Sequence, residues 1–278
     1  MSFNKLVLSG GSVRGIAYIG MLKYLEDNDI IISELLEIVG TSIGAFTALL
    51  IVIGYTSEEL CEIFFNFDFN DIKSPSISCL VDSYGLDNGN KMESMISVFL
   101  KNKGHDPDIT FKDLYNKTGK NLICTVCNVS TRAAVYISKD TCPDLRVALG
   151  TRASMNIPMI FSPVLINGDY HVDGGLCANM PVRYYPPGTP GILCVSLSEN
   201  KKPRFEIDSI ESYMYSVLKT SFSTVEKNDI EYCKKNDFEL LNLMIPSTDS
   251  TDFNISLETK KRFFDTGYKV TSEFFENK

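Results

Sequence analysis

Histidine is nearly missing from this chain, with two in 278 residues, and the scarcity restricts how a serine or cysteine nucleophile could be activated. His105 lies in the charged loop KNKGHDPDIT, and His171 in GDYHVDGGL. A hydrolase triad in the order nucleophile, acid, histidine needs an imidazole after the acid, and none follows position 171. Long basic runs are absent too. With 35 acidic against 27 basic residues and a formal net charge of -8, the chain lacks the positive field that holds a phosphate backbone, so no nucleic-acid partner is expected.

The longest apolar run, AFTALLIVIGY at 45–55, is too short to span a bilayer. The first residues lack the layout of a signal peptide, so the expectation is a cytoplasmic protein, at most peripheral at membranes. Eight cysteines are scattered along the chain. Cys124 and Cys127 in LICTVCNV sit close, but no second pair completes a zinc site, so reduced thiols, no metal and no cofactor are expected. The N-x-S/T triplets at Asn116, Asn128 and Asn254 have meaning only in a secreted chain.

What is present reads as strands alternating with helices. Residues 3–9 form a buried-strand pattern, and IAYIGMLKYLEDND (16–29) follows with helical spacing. A second strand runs to about Val39, and the helix from Ile43 is apolar all round, as befits the middle of a domain. Helical patterns recur at 57–67 and 89–102, around a segment, 68–88, that reads as irregular. NLICTVCNV and AAVYISK form a hairpin pattern, LRVALGTRAS a helix, and strands fall around Val164–Val172 and Gly191–Leu197. A long amphipathic helix through Ile210, Met214, Val217 and Leu218, the strand FELLNLMIP and a closing helix complete the chain. The alternation predicts an α/β sheet covered by helices on both faces. With no convincing linker, the chain is expected to be a single domain over 1–278, its 205–278 part completing it.

Two glycine turns stand out. The first, KLVLSGGSVRGI, is neither common nucleotide loop: the dinucleotide pattern needs glycine where Ser12 stands, and the phosphate loop needs Lys and Ser/Thr where Ile16 and Ala17 stand. Its physics still favours an anion, because a glycine turn feeding a helix start leaves N–H groups free. The oxyanion of an attacked carbonyl is one such anion. The second turn, Gly40-Thr41-Ser42-Ile43-Gly44, is G-x-S-x-G between a strand and a helix, the setting of a nucleophile elbow. With no imidazole after the acid, the alternative is a two-residue site in which a carboxylate takes the serine proton directly, and Asp173, followed by Gly174 and Gly175, is the candidate; an Asp-Gly turn that ends a strand is the other reading of the same residues. A free Asp titrates near ~3.9, so Asp173 would need burial to become an effective base.

With GGSVRG, GTSIGA and VDGG in that order, the chain resembles the patatin-like phospholipase family of serine acyl hydrolases. The resemblance continues through YGLDNGNKM, ITFKDLYNKTGKNLICTVCNV and RASMNIPMIFSPV and covers roughly 3–185. It implies a three-layer fold with a mostly parallel central sheet, Ser42 as nucleophile, Asp173 as its dyad partner, and Gly10, Gly11, Ser12, Val13, Arg14 and Gly15 as the oxyanion turn. It also implies a metal-independent enzyme that cleaves fatty-acyl esters of membrane or micellar phospholipid through an acyl-enzyme. Arg152, Asn179 and Pro181 match family positions and are expected to shape the fold around the site. Many members carry a glycine where Ser12 stands; if that position needs positive φ, Ser12 costs of order 1 kcal/mol. Segment 68–88 is the candidate lid. Two other readings stay open: a non-catalytic lipid-binding protein of the same fold, and a general carboxylesterase or thioesterase.

Overall fold

The computed structural model describes residues 3–30, 32–199, 206–246 and 254–277, so the ends of the expected 1–278 span lie outside it. Strand β1 (Lys5–Leu8) leads through a short 3-10 turn, Ser12–Gly15, into helix α1 (Ile16–Asp27). Strand β2 (Glu37–Thr41) turns at Ser42 into α2 (Ile43–Val52), whose residues from Gly44 to Val52 are all buried. Helix α3 (Ser57–Asn66) starts at a capping box in which Thr56 and Glu59 satisfy each other's backbone N–H groups.

The segment read as irregular is structured. It holds a 3-10 turn at Phe69–Ile72, helix α4 (Ile77–Ser83) ended by Tyr84 at φ 63, and the short strand β3 (Gly85–Asp87). No local pattern announces β3, because its partner lies more than 70 residues further on. Helices α5 (Asn90–Asn102) and α6 (Phe111–Thr118) follow, then the hairpin of β4 (Asn121–Asn128) and β5 (Ala133–Ile137). Helix α6 has no counterpart in the sequence reading; it is short and fixed at its start by the Thr110 hydroxyl, which accepts from the Asp113 N–H. Helix α7 (Val147–Met155) precedes β6 (Met159–Phe161), which pairs with β3 in a separate two-stranded sheet.

Val164–Val172 resolves into two strands, β7 (Val164–Ile166) and β8 (Asp169–Asp173), joined by Asn167 and Gly168 at φ 52 and 88. Both values are positive, as a type I′ hairpin turn requires. The remaining elements are β9 (Ile192–Glu199), α8 (Ile210–Lys235), β10 (Glu239–Ile245) and α9 (Leu257–Glu276).

The main sheet has the order β10-β9-β1-β2-β4-β8-β7, with β5 on β4 as the eighth strand. The five strands from β10 to β4 run parallel. Their side chains Leu6, Val7, Leu8, Ile38 and Val39 are all at 0% exposure, as strands covered on both faces require. One core cluster contains Leu6, Leu8, Tyr18 and Phe46, and the other Val7, Val39, Ile123 and Tyr185. These are the mostly parallel α/β architecture and the two covered faces that the sequence predicts. Helix α9 lies so close on α1 that a Cβ on Gly20 would stand 2.0 Å from the Phe264 carbonyl oxygen. No helix among the described residues is long and apolar enough to cross a membrane.

Candidate active site

Sheet register alone brings Ser42 and Asp173 together. Residues Glu37–Thr41 of β2 pair with Asn121–Thr125 of β4, and Asp173 of β8 pairs with the next residue, Val126. Because β5 occupies the other edge of β4 over Cys124–Asn128, β2 and β8 share one edge and meet end to end. Ser42 follows the last residue of β2, and Asp173 ends β8. Leu8 is in register with Gly40, so the first glycine turn leaves the sheet beside the second. All three motifs therefore collect at the carboxyl ends of the parallel strands, where open α/β sheets place their ligand sites.

The elbow is strained and boxed in. Ser42 has φ 56 and ψ -125, a conformation that L-residues rarely adopt. A Cβ on Gly40 would lie 2.4 Å from the Gly44 carbonyl, and one on Gly44 2.4 Å from the Leu8 oxygen, so both neighbours must be glycine. The Ser42 N–H donates to the Ser154 hydroxyl (2.9 Å), which in turn donates to the Thr125 carbonyl (2.6 Å). The Thr41 hydroxyl donates to the Ala178 carbonyl (2.8 Å), tying the elbow to the loop after Asp173.

Asp173 is 3% exposed. Burial pushes its carboxyl up to about 6; bonds from the Gly175 N–H and the Ser42 hydroxyl pull in the other direction and are smaller. The Gly175 N–H bond is 2.8 Å long. Asp173's own N–H donates to the Asn156 carbonyl (2.8 Å). A Cβ on Gly174 would stand 2.3 Å from the Thr125 oxygen, so this glycine lets the turn pass close over β4.

In the first turn Ser12 has φ 53, the positive value that a glycine would adopt freely. The Gly10 N–H donates to the Asn179 carbonyl (2.9 Å) and is thereby used. The N–H groups of Gly11, Ser12 and Val13 open a helical turn, where no intrahelical acceptor exists. Arg14 is buried and structural: its Nε donates to the Gly11 carbonyl (3.1 Å) and its Nη1 pairs with Glu199 (3.1 Å). Gly15 makes room for Ile43, which a Cβ would meet at 2.2 Å.

A cavity of about 460 Å³ opens over these groups, lined by Ser12, Ser42, Asp173 and Asn179 and by α8 residues that include Lys219 and Phe222. A second pocket, about 50 Å³, leads from Ser42 and Ser12 into an apolar wall of Phe46, Phe64, Phe69 and Met92. Neither histidine lines either pocket; the His171 Nδ1 lies 3.0 Å from the Asp169 carbonyl oxygen. Arg152 pairs with Glu93 (2.9 Å) and donates to the Asn88 carbonyl (2.6 Å), holding α7 against the start of α5.

Two supporting residues escape the sequence reading. Ser154 lies within the quoted RASMNIP stretch but only its contacts reveal its part. Asp229 on α8, 2% exposed, accepts the Met180 N–H (3.0 Å) and so anchors the loop that carries Asn179. Burial pushes its carboxyl up to about 6 as well.

Comparison with known proteins accords with this geometry. The model of the patatin-like phospholipase family matches residues 6–185. An uncharacterized protein of Acanthamoeba polyphaga mimivirus is 29% identical over 278 residues, 96% of this chain and 92% of that protein. The probable lipid hydrolase 463L of Invertebrate iridescent virus 6 is 27% identical over 264 residues, 92% of this chain and 81% of that protein. Among solved structures, VipD from Legionella pneumophila superposes with a TM-score of 0.73 at 18% identity, over 100% of this chain and 67% of that one, a likeness of fold. The chain belongs to the patatin-like phospholipase family of lipid hydrolases.

Proposed function

We propose that the protein is a lipid acyl hydrolase in which Ser42 and Asp173 form a two-residue catalytic dyad. The observation that carries this reading is the end-to-end meeting of β2 and β8 along one edge of β4, which joins a strained, half-buried serine that lines both pockets to a buried carboxylate. Asp173 takes the Ser42 proton as Oγ attacks the ester carbonyl, then hands it to the departing alkoxide as the C–O bond breaks, so the lipid alcohol leaves, the acyl group stays on Ser42 and Asp173 is again a carboxylate. The N–H groups of Gly11, Ser12 and Val13 receive the oxyanion. Asp173 then deprotonates the water that releases the fatty acid. Burial supplies the basicity that a free Asp lacks, consistent with a carboxyl raised to about 6.

The two pockets divide the substrate between them: the Phe and Met wall suits an acyl chain, and the larger cavity, with Lys219 and Thr220, suits a polar head. Segment 68–88 serves as the lid in this account. Its Phe69 and Ile72 line the acyl pocket, while Leu80, Val81 and Tyr84 expose 42%, 77% and 63% of their surface. With a net charge of -8, contact with a lipid surface would rest on such apolar groups. The part from residue 206 belongs to the same catalytic domain, since Phe222 of α8 sits over Gly175 and lines the cavity.

The test is fatty-acid release from phosphatidylcholine and lysophosphatidylcholine vesicles, beside short soluble esters. Release from the lipids, lost in Ser42→Ala, is the expected result. Turnover of short esters alone would replace the reading by a general esterase, and no turnover of either by a lipid-binding protein.

A further inference from the structure

One chemistry-bearing pair beside the site takes no part in the dyad. The cysteine spacing draws attention to Cys124 and Cys127, yet the fold separates them: Cys124 faces the Thr151 hydroxyl (3.7 Å), and Cys127 meets Cys177, 50 positions on. The two sulfurs of the latter pair are 2.7 Å apart, within roughly 0.7 Å of the ~2.05 Å covalent bond length. Cys127 stands on β4 in register with Val172, the residue before Asp173. Cys177 closes the 3-10 turn Gly174–Leu176, whose start Asp173 caps.

We propose that Cys127 and Cys177 are a disulfide-forming pair, a modification site for small disulfides such as oxidised glutathione, whose bond clamps the turn after Asp173 to β4. The two thiols have different parts. Cys177 is half-buried and Cys127 only 5% exposed, so oxidant reaches Cys177 first. The two thiols share a hydrogen bond that either can donate; it holds the Cys177 thiol below its usual range, while the same bond and burial push Cys127 up. The Cys177 thiolate attacks one sulfur of the small disulfide, forming a mixed disulfide and expelling one thiolate. Cys127 then loses its proton, attacks the Cys177 sulfur and expels the second. One disulfide is reduced to two small thiols, and two protein thiols become one disulfide.

Closure moves the backbone little, because the sulfurs already lie nearly at bonding distance. The bond would therefore act as a clamp that leaves the site's geometry in place. It closes a loop of 50 residues, which limits the unfolded chain and predicts a rise in melting temperature of order 5 °C. Cys194 and Cys233 provide an internal control. They too are hydrogen-bonded to each other, but both are 0% exposed within the second core, so an oxidant in solution cannot reach them.

The experiment incubates the folded full chain with oxidised glutathione, alkylates the remaining thiols, and maps peptides without reduction beside thermal melts. We expect one linkage, 127 to 177, a melt higher by several degrees, and full reversal by dithiothreitol. Cys127→Ser should hold a persistent glutathione on Cys177, Cys177→Ser should give no linkage, and Cys194→Ser should leave the 127 to 177 bond unaffected. No 127 to 177 peptide, a glutathione that persists on wild-type Cys177, or a linked form that melts no higher than the reduced one would overturn the proposal. None of these readouts depends on hydrolysis, so the pair can fail while the dyad stands, and the reverse.

Discussion

Two turns in this protein look alike and are built to opposite tolerances. Each follows a parallel strand, starts a helix and puts a serine at positive φ, 56 for Ser42 and 53 for Ser12. Around Ser42 the constraint is backbone against backbone: a Cβ on Gly44 would meet the Leu8 and Ser9 carbonyl oxygens at 2.4 and 2.6 Å. Around Ser12 it is softer. Gly11 has an extended φ of 176, and its Cβ would meet the Leu197 side chain at 2.5 Å, an end that can move. The elbow presents a side chain at a fixed point, whereas the first turn needs only free N–H groups, which any residue but proline carries. Strain is indispensable in one turn and adjustable in the other.

The comparison breaks most visibly with alanine at the two glycines. Gly44→Ala is expected to yield no stably folded protein, while Gly11→Ala folds with a loss of roughly 1–3 kcal/mol; chemical denaturation reads both. If the two were equally tolerated, the distinction between the turns would be wrong. Within the elbow, Ser42→Ala and Asp173→Asn should each lower ester hydrolysis by at least ~10³ with the fold retained, as checked by circular dichroism. Ser154→Ala removes the acceptor of the Ser42 N–H and should cost ~10–100-fold in kcat, with KM little changed.

The pH dependence sharpens the same contrast. A base with its carboxyl raised to about 6 gives a kcat/KM that falls tenfold per unit below about pH 6 and levels above it. Stability runs the other way. The folded state holds this proton more tightly than the unfolded chain, so Asp173 weakens the fold as pH rises from about 4 through 6, and the full penalty is present above 6. Asp173→Asn should therefore raise the melting temperature at pH 8 and change it little at pH 4, in melts run at both values. The smallest effect is expected in the first turn. Ser12→Gly relieves the positive φ, stabilising by ~1 kcal/mol, with hydrolysis within about threefold of wild type.

What the sequence made legible follows from locality. Both strand-turn-helix units, with Gly10-Gly11 and Gly40-Gly44, and the run into Asp173 announce themselves within a few residues, because glycine and apolar periodicity act over short range. The segment 68–88 escaped, since β3 exists only through pairing with β6. Ser154, Asp229 and Cys177 escaped for the same reason: their partners Ser42, Met180 and Cys127 lie on other elements, and nothing adjacent to them in sequence marks the contact. The condition attached to Ser12 is met, because only coordinates give its φ of 53.

The dyad is tested most directly by phosphonylation with a fluorophosphonate probe, in which the serine oxygen attacks phosphorus and fluoride leaves, followed by intact mass and peptide mapping, on wild type, Ser42→Ala and Asp173→Asn at pH 8. The account predicts a single phosphonate adduct on Ser42 in wild type, none in Ser42→Ala, and labelling of Asp173→Asn slowed at least ~10²-fold. An adduct on Ser42 formed at the wild-type rate in Asp173→Asn, or no adduct in folded wild type, would contradict it.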